Sequence, residues 1–460
     1  MVAYLSNFQP SFFDPQSLRT QAEMIWRAGV KAVDPARLVR EEIEKNEELS
    51  SALSSCRRVI LLGAGKAASS MVRGALAGIS EQKEVIGLVH VIQGEEGFPR
   101  EGLELLSVRE PAINFPTFTG VAGAKRQLEL AKHAKSGDLG LVLISGGASA
   151  MLPLPAGDLT LEDKLFATRL LHSIGMPIES MNTVRKHLSG IKGGSLRKAW
   201  GGRDSHFPSL WTLAISDVVG DSPAVIGSGP TVADTTTPSD AIYTVNQYGL
   251  AAAMPSSIMQ HLSCQTLFES SQPSIGFEKE YSKYCLIGSN RKAALASLRE
   301  AELLGWRTLD LGSSWDFDSS AMAGWFAGLT RNIYRDRAAG GPPLCLIAGG
   351  ETVQQVPKDS GKGGRNQHLA LLMNDSLKSF PWTEFTWLIA GTDGEDGPTD
   401  AAGGFVDFLA IKKQLETGID WGQAIRTCAS NGALHNTGAL FVPGPTGTNV
   451  ADLWIGLFSG

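Results

Sequence analysis

Val59-Ile60-Leu61-Leu62-Gly63-Ala64-Gly65-Lys66-Ala67-Ala68 is the stretch on which the fold turns. Four consecutive apolar side chains leave no polar face, so this strand is covered on both sides. Glycines end it. From Lys66 to Ile79 the apolar residues Ala68, Met71, Val72, Ala75, Leu76 and Ile79 recur at helical spacing. Strand, glycine loop and helix in that order predict one unit of a parallel sheet flanked by helices. The same stretch carries a binding expectation. Gly63 and Gly65 would let the backbone approach an anion, the helix start offers N–H groups, and Lys66 adds a positive charge. The spacing satisfies the dinucleotide pattern G-x-G-x-x-A but not the phosphate-loop pattern G-x-x-x-x-G-K-[ST]. A lysine has no purpose in a dinucleotide loop. The plain alternative is a helix start with a solvated lysine.

Further along, Val85–Ile92, Leu139–Ile144 and Trp211–Ile215 read as buried strands, the last two ended by Ser145-Gly146-Gly147 and Ser216-Asp217. The second half repeats this order. Leu286-Ile287-Gly288-Ser289-Asn290 leads into a helix, Leu344–Ile347 ends in Ala348-Gly349-Gly350-Glu351, and Trp387–Ala390 ends in Gly391-Thr392-Asp393-Gly394. We therefore expect two related α/β halves, 1–240 and 241–460, with mainly parallel sheets whose loop ends face a shared cleft. The boundary is expected between Pro238 and Lys283. Glycine after a strand is common in α/β proteins, so only superposition of the halves can decide. Asp14-Pro15 and Asp34-Pro35 read as N-caps followed by proline, opening two short helices.

The bulk composition narrows the function. A chain of 460 residues suits two domains, and 43% hydrophobic with 19% charged residues fits a globular protein. The net charge of −6 argues against a nucleic-acid partner. Five scattered cysteines without CxxC spacing read as reduced thiols. No apolar run approaches the ~20 residues that cross a bilayer, and Met1 to Pro10 lacks a signal-peptide pattern. We expect no membrane partner and a cytoplasmic location, with a mitochondrial one left open.

Four further stretches could carry chemistry. Between Asn182 and Gly194, Met181, Val184, Leu188 and Ile191 mark one helical face, while Asn182, Lys186 and Ser189 mark the other, flanked by Arg185 and Lys192. No acid follows Glu179, so Asn182, Arg185 and Lys186 are expected to face an anion, against the alternative of a solvated face. Asp217, Asp221, Glu351, Asp393, Glu395 and Asp396 follow buried strands. Magnesium with phosphate oxygens is the natural partner of such carboxylates, and one of them could accept a hydroxyl proton. An N-cap or Asx-turn is the alternative for each. In Gly361-Lys362-Gly363-Gly364-Arg365-Asn366-Gln367 a glycine-rich turn delivers Arg365 and Asn366 to a helix start at Gln367, where the planar guanidinium suits carboxylate or phosphate. Gly444 to Asn449 either lines a cleft or closes a turn.

Taken together these strings resemble the glycerate kinase family whose C-terminal part is the MOFRL domain. The matching strings include Leu62 to Ala68, Leu143 to Gly147, Asn182 to Lys186, Ser216 to Asp221, Gly229-Pro230-Thr231, Gly349 to Thr352, Gly363 to Gln367, Gly391 to Gly394 and Gly447-Thr448-Asn449. They fall in one order over nearly the whole chain. The resemblance implies two Rossmann-like domains, ATP and magnesium as cofactors, and phosphorylation of D-glycerate, typically at the 2-hydroxyl. It makes Lys66 and Arg365 the leading active-site residues. Asp393 is the expected proton acceptor, and Asp217, Asp221 and Glu351 are expected at the metal. Gly63, Gly65, Ser145, Gly146, Gly147, Asn182, Arg185, Lys186, Gly349, Gly350, Asn366 and Thr392 are expected to line the nucleotide or the substrate. A homodimer is compatible with this reading. Some relatives are labelled hydroxypyruvate reductase, so an NAD(P)H-dependent reductase is the alternative.

Two segments depart from the family pattern. Glu110-Pro111-Ala112-Ile113-Asn114 stands where relatives often have His-Pro-x-Pro-Asp, and Ser430 to Asn436 replaces an Asn-Asp-Ser segment. They put full activity in doubt, so a catalytically impaired nucleotide-binding relative is a third reading.

Overall fold

The computed structural model describes residues 15–97, 100–110, 115–202, 208–269, 282–337, 342–380 and 384–459. Met1 to Asp14 and Pro111 to Asn114 therefore lie outside the described residues. The chain divides into two compact units, one spanning Pro35–Gly288 and the other joining residues up to Asp34 to those from Ser289 onward.

The Pro35–Gly288 unit is built on six strands: β1 (Arg58–Ala64), β2 (Glu84–Ile92), β3 (Leu103–Arg109), β4 (Asp138–Ile144), β5 (Ser209–Ile215) and β6 (Ser282–Gly288). Their spatial order is β3-β2-β1-β4-β5-β6 and every pairing is parallel. The Val59-Ile60-Leu61-Leu62 run is buried throughout, as a central strand covered by helices on both faces requires. β1 and β4 are adjacent, and the chain winds away from them in opposite directions. That is the switch point of a doubly wound sheet, where ligands bind outside the strand C-termini.

The other unit holds β7 (Arg307–Asp310), β8 (Leu344–Gly350), β9 (Phe385–Gly391), β10 (Gly403–Asp407), β11 (Leu440–Phe441) and β12 (Asp452–Phe458). Their order is β11-β10-β9-β12-β8-β7. Only β7 and β8 pair in parallel, and the other four pairings are antiparallel. The expectation of mainly parallel sheets thus holds for the first unit and is corrected for the second. The expected repeat also fails. The two sheets differ in strand direction, and β6, read as the opening strand of the second half, closes the first sheet instead through Leu210↔Ser282 to Ile215↔Gly288.

The boundary at 240/241 is corrected for the same reason, since the units part at Gly288 and Ser289. The N-terminal helix Pro15–Ala32 also changes sides. Its Leu18, Ala22, Ile25 and Trp26 are buried with Ala294, Leu298 and Ala301 of helix Asn290–Leu303 and with Leu388, Leu453 and Ile455 of the second sheet. Trp26 meets Phe441 edge to face at 5.2 Å, Trp306 donates to Gln21 at 2.8 Å, and Arg19 pairs with the fully buried Asp407. Large apolar side chains buried in this way contribute roughly 1.5–3 kcal/mol each. The expected second opening helix, Pro35–Lys45, begins at its proline.

Candidate active site

At the switch point, the loop after β1 and the loop after β4 close on each other. The Lys66 amide donates to Gly146 O at 2.8 Å and the Ala67 amide to Ser145 Oγ at 3.1 Å. These N–H groups, expected to cradle an anion, are already used. Gly63 is corrected more strongly. It is a buried strand residue whose N–H and C=O are both held by Gln127, at 3.3 and 2.9 Å. A Cβ there would collide with the Leu143 carbonyl of β4, so its glycine serves close strand pairing. What the loop presents is the half-buried Lys66 side chain, whose Cγ lies beside Gly147. From β5 comes Asp217, whose carboxylate packs so tightly on Gly146 that any side chain there would displace it. Lys66, Gly146, Gly147 and Asp217 thus meet at three neighbouring strand ends. Asp221 follows on the same loop with a left-handed φ of 52°.

The second cationic group is larger. Helix Ile178–His187 is shorter than the sequence suggested, ending before Leu188. Lys186 pairs with Asp234 at 3.3 Å, so the expected absence of an acidic partner is corrected. Arg185 does face a cavity. Its Nη2 donates to Ser149 Oγ at 2.7 Å and its Nη1 to the buried Asn182 at 3.4 Å. Lys192, 3% exposed, donates from Nζ to Ser149 O at 2.6 Å and also to Ser149 Oγ. Lys164, from helix Leu161–Ser173, donates to Leu154 O at 2.9 Å. Lys164, Arg185 and Lys192 line one pocket of about 650 Å³, together with Gly147 and Ser149. Burial and then the Arg185 charge push the Lys164 ammonium down to about 7. Burial pushes Lys192 well below the ordinary lysine range, and Arg185 and Lys164 add repulsion. Among the described residues these cations have no carboxylate partner of the kind a buried charge needs, which an anionic ligand would supply.

The third cluster belongs to the other unit. Helix Arg365–Leu377 starts at Arg365, two residues before the expected start. Asp396, fully inside, accepts from the Asn366 amide at 3.2 Å, the Gln367 amide at 2.8 Å and Gln367 Nε2 at 3.0 Å, and so caps that helix. Burial raises its pKa to about 6, against the pull of those donors. Arg365 forms a paired contact with Asp452, Nε to Oδ2 at 2.8 Å and Nη2 to Oδ1 at 3.0 Å, and its Nη1 binds Glu351. Burial opposes the guanidinium charge, but Asp452 and Glu351 outweigh it and push the pKa up.

Other expected ligands also take part in hydrogen bonds of the fold. Asn366 is buried and accepts from Trp454 Nε1 at 3.2 Å. Thr392 is buried and ties to Ala451 O at 2.7 Å. Gly349 and Gly350 are strand residues paired with β12, and the Gly349 amide donates to Gly312 O. Asp393 accepts from the Glu395 amide at 3.2 Å, an Asx-turn, and its own carbonyl accepts from Thr446. In the Gly444 to Asn449 segment Thr446 Oγ donates to Thr392 O at 2.6 Å, tying it to the loop after β9.

Among the described residues no three His, Cys, Asp or Glu side chains converge as a metal cage. Magnesium needs only one or two carboxylates beside substrate phosphates. Asp217 fits that requirement, a hard oxygen donor beside Lys66's loop. Glu351 pairs with Arg365.

Residues 21–263 match a family described as a domain of unknown function (DUF4147), and residues 344–452 match the MOFRL family. D-glycerate 2-kinase of Thermotoga maritima is 35% identical over 97% of this chain and 99% of its own. The chain belongs to the glycerate kinase family. Human glycerate kinase is 31% identical over 95% of this chain and 92% of its own. A crystal structure of glycerate kinase from Thermotoga maritima superposes with a TM-score of 0.81 at 33% identity, covering 96% of this chain and all of that one.

Of the two departures from the glycerate kinase pattern, Pro111 to Asn114 lie outside the described residues. The other is built in. Asn431 donates to Gln367 Oε1 at 2.9 Å and its amide to Lys362 O, bracing the turn that leads into Arg365. Lys164, Ser149 and Asp452 were missed as site residues, and Lys192 was read only as a flank. Lys164 looks in sequence like any lysine on an amphipathic helix. Asp452 carried a usable cue, a carboxylate joined directly to the apolar run Leu453–Phe458.

Proposed function

We propose that this chain transfers a phosphoryl group from ATP to D-glycerate, with the 2-hydroxyl as acceptor, by in-line displacement. What carries the reading is the group of buried cations in the Pro35–Gly288 unit, near Lys66 and Asp217 at the strand ends of a doubly wound sheet. Kinase chemistry asks the protein chiefly to position and to neutralise charge. Lys66 would neutralise phosphate. Asp217, with Asp221 on its loop, would hold magnesium, which supplies charge neutralisation of the phosphate oxygens. Asp393 would accept the hydroxyl proton, and Arg365, oriented by Asp452, would bind the glycerate carboxylate or the transferring phosphoryl. The name of the Thermotoga relative, D-glycerate 2-kinase, supports the 2-hydroxyl. No described helix is long and apolar enough to cross a membrane.

The reductase alternative fits less well. β2 ends at Ile92 and is followed by Gln93-Gly94, whereas a nicotinamide fold places a carboxylate there for the ribose. The test is ADP release with D-glycerate and magnesium, with the product identified by phosphorus and proton NMR. ADP formation that needs both, giving 2-phosphoglycerate, is expected. NADPH or NADH oxidation on hydroxypyruvate without ADP release would replace this reading with the reductase.

A further inference from the structure

The Lys164–Arg185–Lys192 pocket has no assigned ligand, and its lining is unusual in composition. Among the described residues it contains four cations, Lys164, Arg169, Arg185 and Lys192, and no carboxylate. Three of them are partly or wholly buried, while Arg169 is exposed at the rim. Among the described residues the three inner ones bond only to hydroxyl, amide or carbonyl oxygens. A ligand with a single carboxylate would leave most of this charge unanswered. A triphosphate, with about four negative charges at neutral pH, would answer it.

Size points the same way. Glycerate has about seven heavy atoms and would fill roughly a fifth of 650 Å³ at interior packing density, whereas a nucleoside triphosphate of about 31 would fill most of it. The rest of the wall suits a base. Leu161, Leu165, Thr168 and His172 recur every three or four residues, so one face of helix Leu161–Ser173 lines the pocket beside Phe115 and Pro116. Phe115 is 62% exposed, an aromatic ring open to stacking.

We propose that this pocket is the nucleotide site, taking the triphosphate on Ser149, Arg185 and Lys192 and the base on the Phe115–Leu165 wall. The assignment rests on the ATP-dependent reading above and places the nucleotide within the Pro35–Gly288 unit. It is tested on the full chain with two variants, Thr168→Trp, which fills the wall, and Arg169→Glu, which reverses a solvent-exposed rim charge and leaves the core untouched. The readouts are the Kd of magnesium AMP-PNP by calorimetry without glycerate, and the separate KM values for ATP and glycerate. Both variants should weaken AMP-PNP and raise the KM for ATP, tenfold or more for Thr168→Trp and about threefold to tenfold for Arg169→Glu, with the KM for glycerate within twofold of wild type. A rise in the glycerate KM alone would make this the acceptor site and overturn the proposal, as would unchanged AMP-PNP affinity in a folded Arg169→Glu or no AMP-PNP binding by the wild type. AMP-PNP binding that the variants weaken, in a wild type that turns over no ATP with glycerate, would sustain the pocket and sink the kinase reading instead.

Discussion

Arg365 and Asp452 lie 87 residues apart and meet in a two-pronged ion pair, Nε to Oδ2 at 2.8 Å and Nη2 to Oδ1 at 3.0 Å. Asp452 is 1% exposed and Arg365 one-third exposed, so the pair aims a guanidinium from a rigid base. Lysine would keep the charge but lose the fork. Arg365→Lys should lower kcat/KM for glycerate at least tenfold, and Asp452→Asn should do so as well by freeing the arginine. Steady-state kinetics with ADP detection checks both. Wild-type values in a folded Arg365→Lys would reduce the pair to a structural tie.

Lys66 is carried on a loop whose amides are locked by Ser145 and Gly146, and its side chain supplies a positive charge at the strand ends where phosphate is proposed to bind. Lys66→Ala should cut turnover by roughly two orders of magnitude or more, with circular dichroism unchanged. Near-normal turnover in that folded variant would return Lys66 to a surface role.

Lys164 links the pocket to pH. Its folded pKa, about 7, lies below the ordinary 10.5. Below pH 7 both the folded and the unfolded chain carry the proton, and the folded state bears the full cost of the buried charge. Between pH 7 and 10.5 the unfolded chain binds more protons, so this residue makes stability rise with pH. Lys164→Met should therefore raise the urea midpoint at pH 7 and flatten its increase toward pH 9.5. Parallel pH profiles for the two proteins would contradict this.

The unit boundary makes a prediction about fragments. Residues 35–288 retain β6 and its full ladder on β5, whereas residues 1–240 lose β6 and keep helix Pro15–Ala32 without its partners. The 35–288 fragment should melt cooperatively and well above the 1–240 fragment, as followed by circular dichroism. In the full chain, Trp26→Ala should destabilise the second unit by about 3–5 kcal/mol, seen as faster amide exchange in β9 and β12 but not in β1 and β4.

The sequence by itself determined the local pieces. The apolar runs at Val59, Val85, Leu139, Trp211, Leu344 and Trp387 are strands, and the glycine loops follow them, because side-chain periodicity and glycine's backbone freedom act within a few residues. The family resemblance could likewise be read from strings in order. The tertiary structure decided the rest. An apolar run does not encode the direction of its neighbour, so the antiparallel ladders of the second sheet and the capture of β6 by the first were not legible. Nor was the docking of helix Pro15–Ala32 on a sheet formed nearly 300 residues later, since its apolar face fits any apolar partner. The site divided in the same way. Lys66, Arg365 and Arg185 announced themselves by charge beside glycine or within a basic helix. Lys164, Lys192 and Asp452 became candidate site residues only through burial and pairing across distant segments, which no local spacing records.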